Sequence, residues 1–323
     1  MPFFLLHRLT SVPPVFRRIT RQLPALLFLA FLPLLLTGCR SSGSGQARDH
    51  TPQVRLPRAD GKQTYESGGL TIDASHLDDG YFCASYSGDA PKVKLQLTGP
   101  DAITYTYDLT VSGETDTFPL TAGSGSYTLM AYENISGNRY STALIQTLEV
   151  DLKDEFSPFL YPNQFVNYNK KTEAVQLAST LTADCSADLD TVTAIYNYVT
   201  ENITYDYDKA KQANNGDLAG YLPDLDDTLR TKSGICFDYA ALMTCMLRTQ
   251  GIPTKLQIGF SNAVKHAWIS AYLEESGWVD SIIRFDGKNW SLMDPTFAST
   301  MGNGADLKSF IGDGTNYEVQ YSR

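Results

Sequence analysis

Three residues in the C-terminal half have the types and the order that thiol chemistry needs. Cys236 stands in Ser233-Gly-Ile-Cys-Phe-Asp-Tyr-Ala240, His266 is the single histidine downstream of it, and Asp294 follows in Met-Asp-Pro-Thr. A cysteine attacks as its thiolate, and at the usual pKa of ~8.5 only a minor fraction is ionised at neutral pH. The positive end of a helix and a neighbouring imidazolium both favour the anion. A carboxylate behind the imidazole fixes its tautomer. Cys236, His266 and Asp294 thus fit the parts of nucleophile, base and orienter in acyl transfer. Taken singly, each has a plainer role: a buried small hydrophobe, a surface or core histidine, a turn former before proline. Their order and their contexts together favour the chemical reading.

Local patterns supply those contexts. Cys236 to Gln250 reads as a helix, with Ser233 available as a cap, Gly251 at the left-handed end and Pro253 beyond it. After it the hydrophobic period switches to two, and 255–260, 266–272, 278–283 and 290–294 read as strands of an antiparallel sheet. On the second of these, His266, Trp268, Ser270 and Tyr272 share one face. Ala267, Ile269 and Ala271 share the other, a small apolar set suited to a helix layer. Upstream, Ala174, Val175, Leu177, Ala178 and Leu181 share a face of one helix. Val192, Ile195, Tyr196 and Val199 recur at helical spacing in another, with Ser186 or Asp188 as its cap. Residues 209–232 read as a long polar loop bordering the site, since it leads into Cys236. Its Asp224-Leu-Asp-Asp227 lacks the glycine and distal glutamate of a calcium loop. Cys245 lies about half a turn round the helix from Cys236, in an apolar setting, and reads as core.

Before this half, residues 65–152 change to short β runs at 70–72, 81–86, 93–97, 103–109, 127–132 and 143–150, separated by Gly-, Ser- and Asp-rich turns. Six or seven such strands point to an antiparallel β-sandwich without a catalytic constellation. Residues 154–169 form a connector rich in aromatics. The chain is therefore expected to be α+β, with helices first and a sheet after in its second half.

At 323 residues there is room for two domains, and 42% hydrophobic with 19% charged residues fits a globular chain. The first 39 residues hold four arginines and no acid, which leaves 22 basic residues against 36 acidic, a net charge of −14. Phosphate contacts need Lys and Arg, so this balance excludes a nucleic-acid partner. There is no Cys-x-x-Cys pair and the histidines are scattered, so neither a metal nor another cofactor is expected. A Cys83–Cys185 disulfide is conceivable, and the sequence leaves it open.

Residues 1–39 read as a targeting segment. Arginines precede an apolar run, Leu23 to Leu36, that is interrupted by Pro24 and Pro33 and ends in Leu-Thr-Gly-Cys39. The run is shorter than the ~20 residues of a membrane-spanning helix. It resembles the bacterial lipobox, which implies cleavage before Cys39 and lipidation of its thiol. The alternative is an uncleaved anchor with a chance cysteine. Residues 40–64, rich in Ser, Gly, Pro and charge, read as a flexible tether.

The motifs Gly234-Ile-Cys236-Phe-Asp-Tyr-Ala240, Met246-Leu-Arg-Thr-Gln-Gly-Ile-Pro253, His266-Ala-Trp268 and Trp290…Asp294-Pro-Thr296, in this order, resemble the transglutaminase-like superfamily over about residues 165–300. The resemblance implies a papain-like domain spanning 165–323, with Cys236 as nucleophile, His266 as base and Asp294 as orienter. Family members include protein cross-linkers, peptidases and amide-hydrolysing enzymes. A peptide, protein or cell-wall peptide substrate follows, attacked through a thioester that water or an amine resolves. The backbone N–H of Cys236 is one donor to the oxyanion, and Tyr205 or Tyr207, in a Tyr-Asp stretch similar to one found in many members, is a candidate second. Ordinary aromatic packing explains both tyrosines equally well. The lipobox and the β domain resemble bacterial surface members of Gram-positive type, lipid-anchored to the outer face of the cytoplasmic membrane. Hydrolysis is favoured over transamidation because water is always present. A non-catalytic binding or scaffold lipoprotein is the competing class, and an intact triad argues against it.

Overall fold

The computed structural model describes residues 48–261, 264–274, 276–280 and 317–323, together with the backbone of 283–285 and 290–292. Alternation of side chains builds the first half. In β4 (Val93–Thr98) every second residue is buried, and β5 (Thr104–Leu109) repeats this with Tyr105, Tyr107 and Leu109 inward. Their register sets Leu95 opposite Tyr107 and Leu97 opposite Tyr105. With β7 (Gly125–Ser136) and β8 (Arg139–Val150) they form one antiparallel sheet, ordered β5-β4-β7-β8. The second sheet is β1-β2-β3-β6, from Thr64–Ser67, Leu70–Asp73, Tyr81–Tyr86 and Thr115–Pro119. Ile72, Phe82 and Phe118 of this sheet share one core with Leu95, Leu97, Tyr107 and Leu129 of the other. Eight strands thus replace the six or seven expected. β1 and β6 are short and polar, and β6 closes on Pro119 at the sheet edge, where a missing N–H costs no ladder bond.

Residues 48–63, inside the segment expected as a tether, make specific contacts. The Gln53 N–H donates to Thr249 O (2.7 Å), His50 Nε2 lies 2.8 Å from Cys185 O, and the Arg58 N–H donates to the Tyr81 hydroxyl (3.1 Å). Arg48 donates to Gln250 O and pairs with Asp188. Cys83 and Cys185 are both free thiols, as are Cys236 and Cys245.

The second half is a helix layer against a sheet. α1 (Glu173–Leu181) buries Ala174, Val175 and Ala178, and α2 (Asp188–Asn202) buries Val192, Ile195, Tyr196 and Val199. The α2 N-cap is Ala187 without a side-chain bond; Ser186 and Asp190 bond each other instead. The two-residue strands β9 (Thr204–Tyr205) and β10 (Ser233–Gly234) pair in parallel. Between them lie α3 (Tyr207–Asn215) and α4 (Leu225–Thr231), where a loop was expected. The acidic pattern itself starts these helices: Asp206 accepts the Lys209 N–H (2.8 Å) and Asp224 the Asp227 N–H (2.9 Å) as N-caps.

α5 (Cys236–Thr249) is buried on every side from Asp238 onward, the mark of a central helix. It packs against α1, α2 and α4 and against β11 (Thr254–Ser261) and β12 (Val264–Leu273). Gly251 takes φ +77° just past its end, as a left-handed terminator does. The sheet runs β13-β12-β11-β16, with β13 at Gly277–Asp280 and β16 at Tyr317–Ser322. β14 (Ile283–Phe285) pairs with β15 (Trp290–Leu292) apart from it. Ala267, Ile269 and Ala271 join the core built on α5, as the alternation required. The protein is α+β.

Arg248, near the end of α5, is fully buried, and among the described residues it makes no ion pair with an Asp or Glu side chain. Its guanidinium donates to Thr254 O through Nε (2.9 Å) and Nη2 (2.8 Å), to Arg323 O (2.8 Å) and to Tyr161 O (2.7 Å). Arg323 in turn lies over the rings of Tyr105, Tyr107 and Phe165, its Cζ 4.4–4.6 Å from their centroids.

Candidate active site

Cys236 is the first residue of α5 and is half-buried, packed against the apolar core. The preceding Ile235 is extended, and the first N–H groups of a helix have no intrahelical acceptor. One of these donors is satisfied from inside the helix, and Ser233 plays no capping part. Asp238, two residues after the cysteine, turns back so that its Oδ2 accepts the Ile235 N–H (2.8 Å). The turn needs Gly234: a Cβ there would lie 2.7 Å from the Asp238 Cβ.

Asp238 is fully buried, and a buried carboxylate must be paired. Lys209 Nζ of α3 donates to its Oδ2 (2.7 Å), and the Tyr221 hydroxyl donates to its Oδ1 in a short bond. Lys209 also donates to the Tyr221 oxygen (2.6 Å) and sits 4.2 Å from that ring's centroid. Burial, and then the Asp238 carboxylate, push the Tyr221 phenol above its usual range, which keeps it a donor. The segment carrying Lys209 is fixed independently: the Asp206 N–H donates to Gly234 O (2.9 Å) and the Thr204 N–H to Lys232 O (2.8 Å).

His266 is the third residue of β12 and only 6% exposed. Its ring lies near-parallel to Trp268 at 6.2 Å and 6.3 Å from Tyr317, which meets Trp268 edge-on at 5.0 Å. Gly259 stands opposite it in the register. A Cβ on Gly259 would lie 1.9 Å from Glu318 O and 2.9 Å from the Trp268 ring, so this glycine admits β16 to the sheet.

Cys236 and His266 therefore sit on directly packed elements, with His266 on the strand face opposite to Ala267, Ile269 and Ala271. Tyr205 pairs in register with Gly234, two residues before the thiol, and is half-buried. Tyr207 is 67% exposed, its ring edge-on to Tyr205 at 5.1 Å. Asp294 and Cys39 lie outside the described residues. Cys245 is wholly buried and its thiol is pushed up by burial, which suits a core residue. Among the described residues no three His, Cys, Asp or Glu side chains converge as a metal site. Sequence reasoning missed Asp238, Lys209 and Tyr221. The first had a signal, an acid at the third position of a predicted helix; the other two arrive from another segment through the fold.

Residues 175–281 match the family model of the transglutaminase-like superfamily. A UPF0252 protein of Methanocaldococcus jannaschii is 35% identical over 74 residues, covering 22% of this chain and 21% of that protein. The kyphoscoliosis peptidase of Mus musculus is 29% identical over 136 residues, 38% of this chain and 18% of that protein. The matches thus span about a fifth of the length of these curated relatives. Among solved structures, a presumed cysteine protease from Cytophaga hutchinsonii superposes loosely, with a TM-score of 0.37 and 15% identity over 80% of this chain and 78% of that one. The red sea bream transglutaminase gives a TM-score of 0.29 at 13% identity, over 78% of this chain and 50% of that chain. The matched segment holds both Cys236 and His266, and through it the chain carries a domain of the transglutaminase-like superfamily.

Proposed function

We propose that this chain is a thiol enzyme that opens amide bonds of peptides or proteins through a thioester on Cys236. The observation that carries this reading is the half-buried cysteine opening a helix that is wholly buried from Asp238 onward and packs on the strand of His266. The Cys236 sulfur attacks the carbonyl carbon, and the oxyanion is held by the backbone N–H of Cys236, with Tyr205 the better placed of the two tyrosines as a second donor. The C–N bond then breaks and His266 hands its proton to the leaving amine. Water, deprotonated by the same imidazole, cleaves the thioester and restores the thiol. Asp294 orients His266 in this scheme. Cys39, lipidated, would hold the enzyme at the outer face of the membrane, where peptides, proteins and cell-wall peptides are available.

The test is turnover of a mixed peptide set by the full chain, with and without a primary amine, analysed by mass spectrometry. Cleaved peptides that disappear with Cys236→Ala and with His266→Ala are expected. Amine-labelled or cross-linked product as the main outcome would replace hydrolysis by transamidation. No turnover together with retained partner binding would favour a scaffold.

A further inference from the structure

Asp238 places a carboxylate two residues from the thiol that is to ionise. A like charge at that range disfavours a thiolate, whatever it contributes as a helix cap. A neutral Asn or Ser would cap the helix without that conflict. The chain instead buries the acid completely and brings a lysine to it from α3, 29 positions earlier in the sequence. Lys209 is held on both sides of its side chain: the Asp206 cap fixes its backbone, and Tyr221 closes a three-membered ring of hydrogen bonds around the ammonium.

We propose that Lys209 is a positioning residue of the Cys236 site, neutralising Asp238 so that this carboxylate caps α5 without opposing ionisation of the thiol. This rests on Cys236 being the nucleophile. Among the described residues, the charged and titratable groups set around the first turn are Asp238 and Tyr239 on α5, Lys209 on α3, Tyr221 after it and Tyr205 on β9. Asp224 and Asp227 at α4 act on Tyr221, and His266 lies on β12, the strand that packs on α5. Tyr239 is committed elsewhere, donating to Ile203 O (2.6 Å). Among these, Lys209 is the cation that bonds Asp238 directly.

The experiment is the pH dependence of Cys236 alkylation by iodoacetamide in the full chain, with the labelled residue identified by peptide mapping. Lys209→Met is expected to move the half-maximal pH upward by about one unit relative to the parent. Lys209→Arg restores the parent profile. Asp238→Asn alone moves it downward, and Lys209→Met with Asp238→Asn returns it close to the parent, because the charge to be neutralised is gone. A purely structural lysine would lower stability without moving the profile. A Lys209→Met profile that coincides with the parent, or a double variant that keeps the full upward shift, overturns the proposal. If Lys209→Met does not fold, an Asp238→Asn profile that coincides with the parent overturns it as well. Alkylation is read apart from turnover: a parent that alkylates at Cys236 but cleaves nothing defeats the proposed function and leaves this inference standing.

Discussion

Gly259→Ala is expected to destabilise the protein far more than one methyl group suggests. The added carbon would fall 1.9 Å from the Glu318 carbonyl oxygen, which is backbone and belongs to the neighbouring strand. Ordinary contact needs roughly 1.5 Å more room, and the Trp268 ring blocks the other side. β16 must therefore retreat. Its pairings of Gly259 with Val319, Phe260 with Glu318 and Ser261 with Tyr317 loosen, and so does the Tyr317–Trp268 edge contact. Overpacking of this kind costs about 1–3 kcal/mol, and losing one aromatic contact about 0.5–1.5 kcal/mol more. A total near 3 kcal/mol is the expectation, read as a lower urea midpoint with unchanged slope. Trp268 fluorescence should shift in the native baseline. Val319→Ala, on the same strand but half-exposed, serves as the control and should cost under about 0.5 kcal/mol. A Gly259→Ala protein as stable as that control would show that the close strand approach is not what demands glycine.

Three further outcomes follow from buried groups. Arg248→Lys should lose about 1–3 kcal/mol in urea unfolding, because one ammonium replaces a fork that serves three carbonyls. Burial raises the Asp116 carboxyl above its ordinary value of 3.8, so the folded state holds its proton more tightly than the unfolded chain. Measured from pH 3 to 7, the parent should lose stability relative to Asp116→Asn as pH rises from 3.8 through the folded value; parallel curves would refute this. Burial pushes the Cys83 thiol up to about 11, which leaves ~0.1% thiolate at pH 8, and Cys245 is pushed higher still. Neither should be labelled in the native protein at pH 8, and both should be after denaturation.

Most strands were legible because their burial is one-sided. Val93, Leu95 and Leu97 announce β4 by alternation alone, and the Ala267, Ile269, Ala271 set announces the face that meets α5. β1 and β6 escaped because edge strands carry too few apolar residues to show a period. Helices α3 and α4 escaped for a related reason. α3 buries no residue at all and is defined by its Asp206 cap and Gly216 end. For the site, residue type and order pointed to Cys236 and His266, whereas the groups that bond Asp238 came from distance. Lys209 and Tyr221 read as loop residues until the β9–β10 pairing sets their segment against the start of α5. Gly259 drew no attention, since nothing near it in sequence reveals that Glu318 will lie against it.

The contacts of residues 48–58 have a mechanical consequence. Tension applied ahead of Arg48 would not pass straight into the β-sheets. It meets first the Arg48 contacts with Gln250 O and Asp188, then the His50 contact with Cys185 O and the Gln53 bond to Thr249 O, so the C-terminal end of α5 and the start of α2 share it. Part of the load thus enters the helix whose other end carries the thiol, before Arg58 and Tyr81 pass the remainder into the first half of the chain. For a protein held by its N-terminal side and pulled through a bound substrate, force would reach both ends of α5, a helix buried from Asp238 to Thr249.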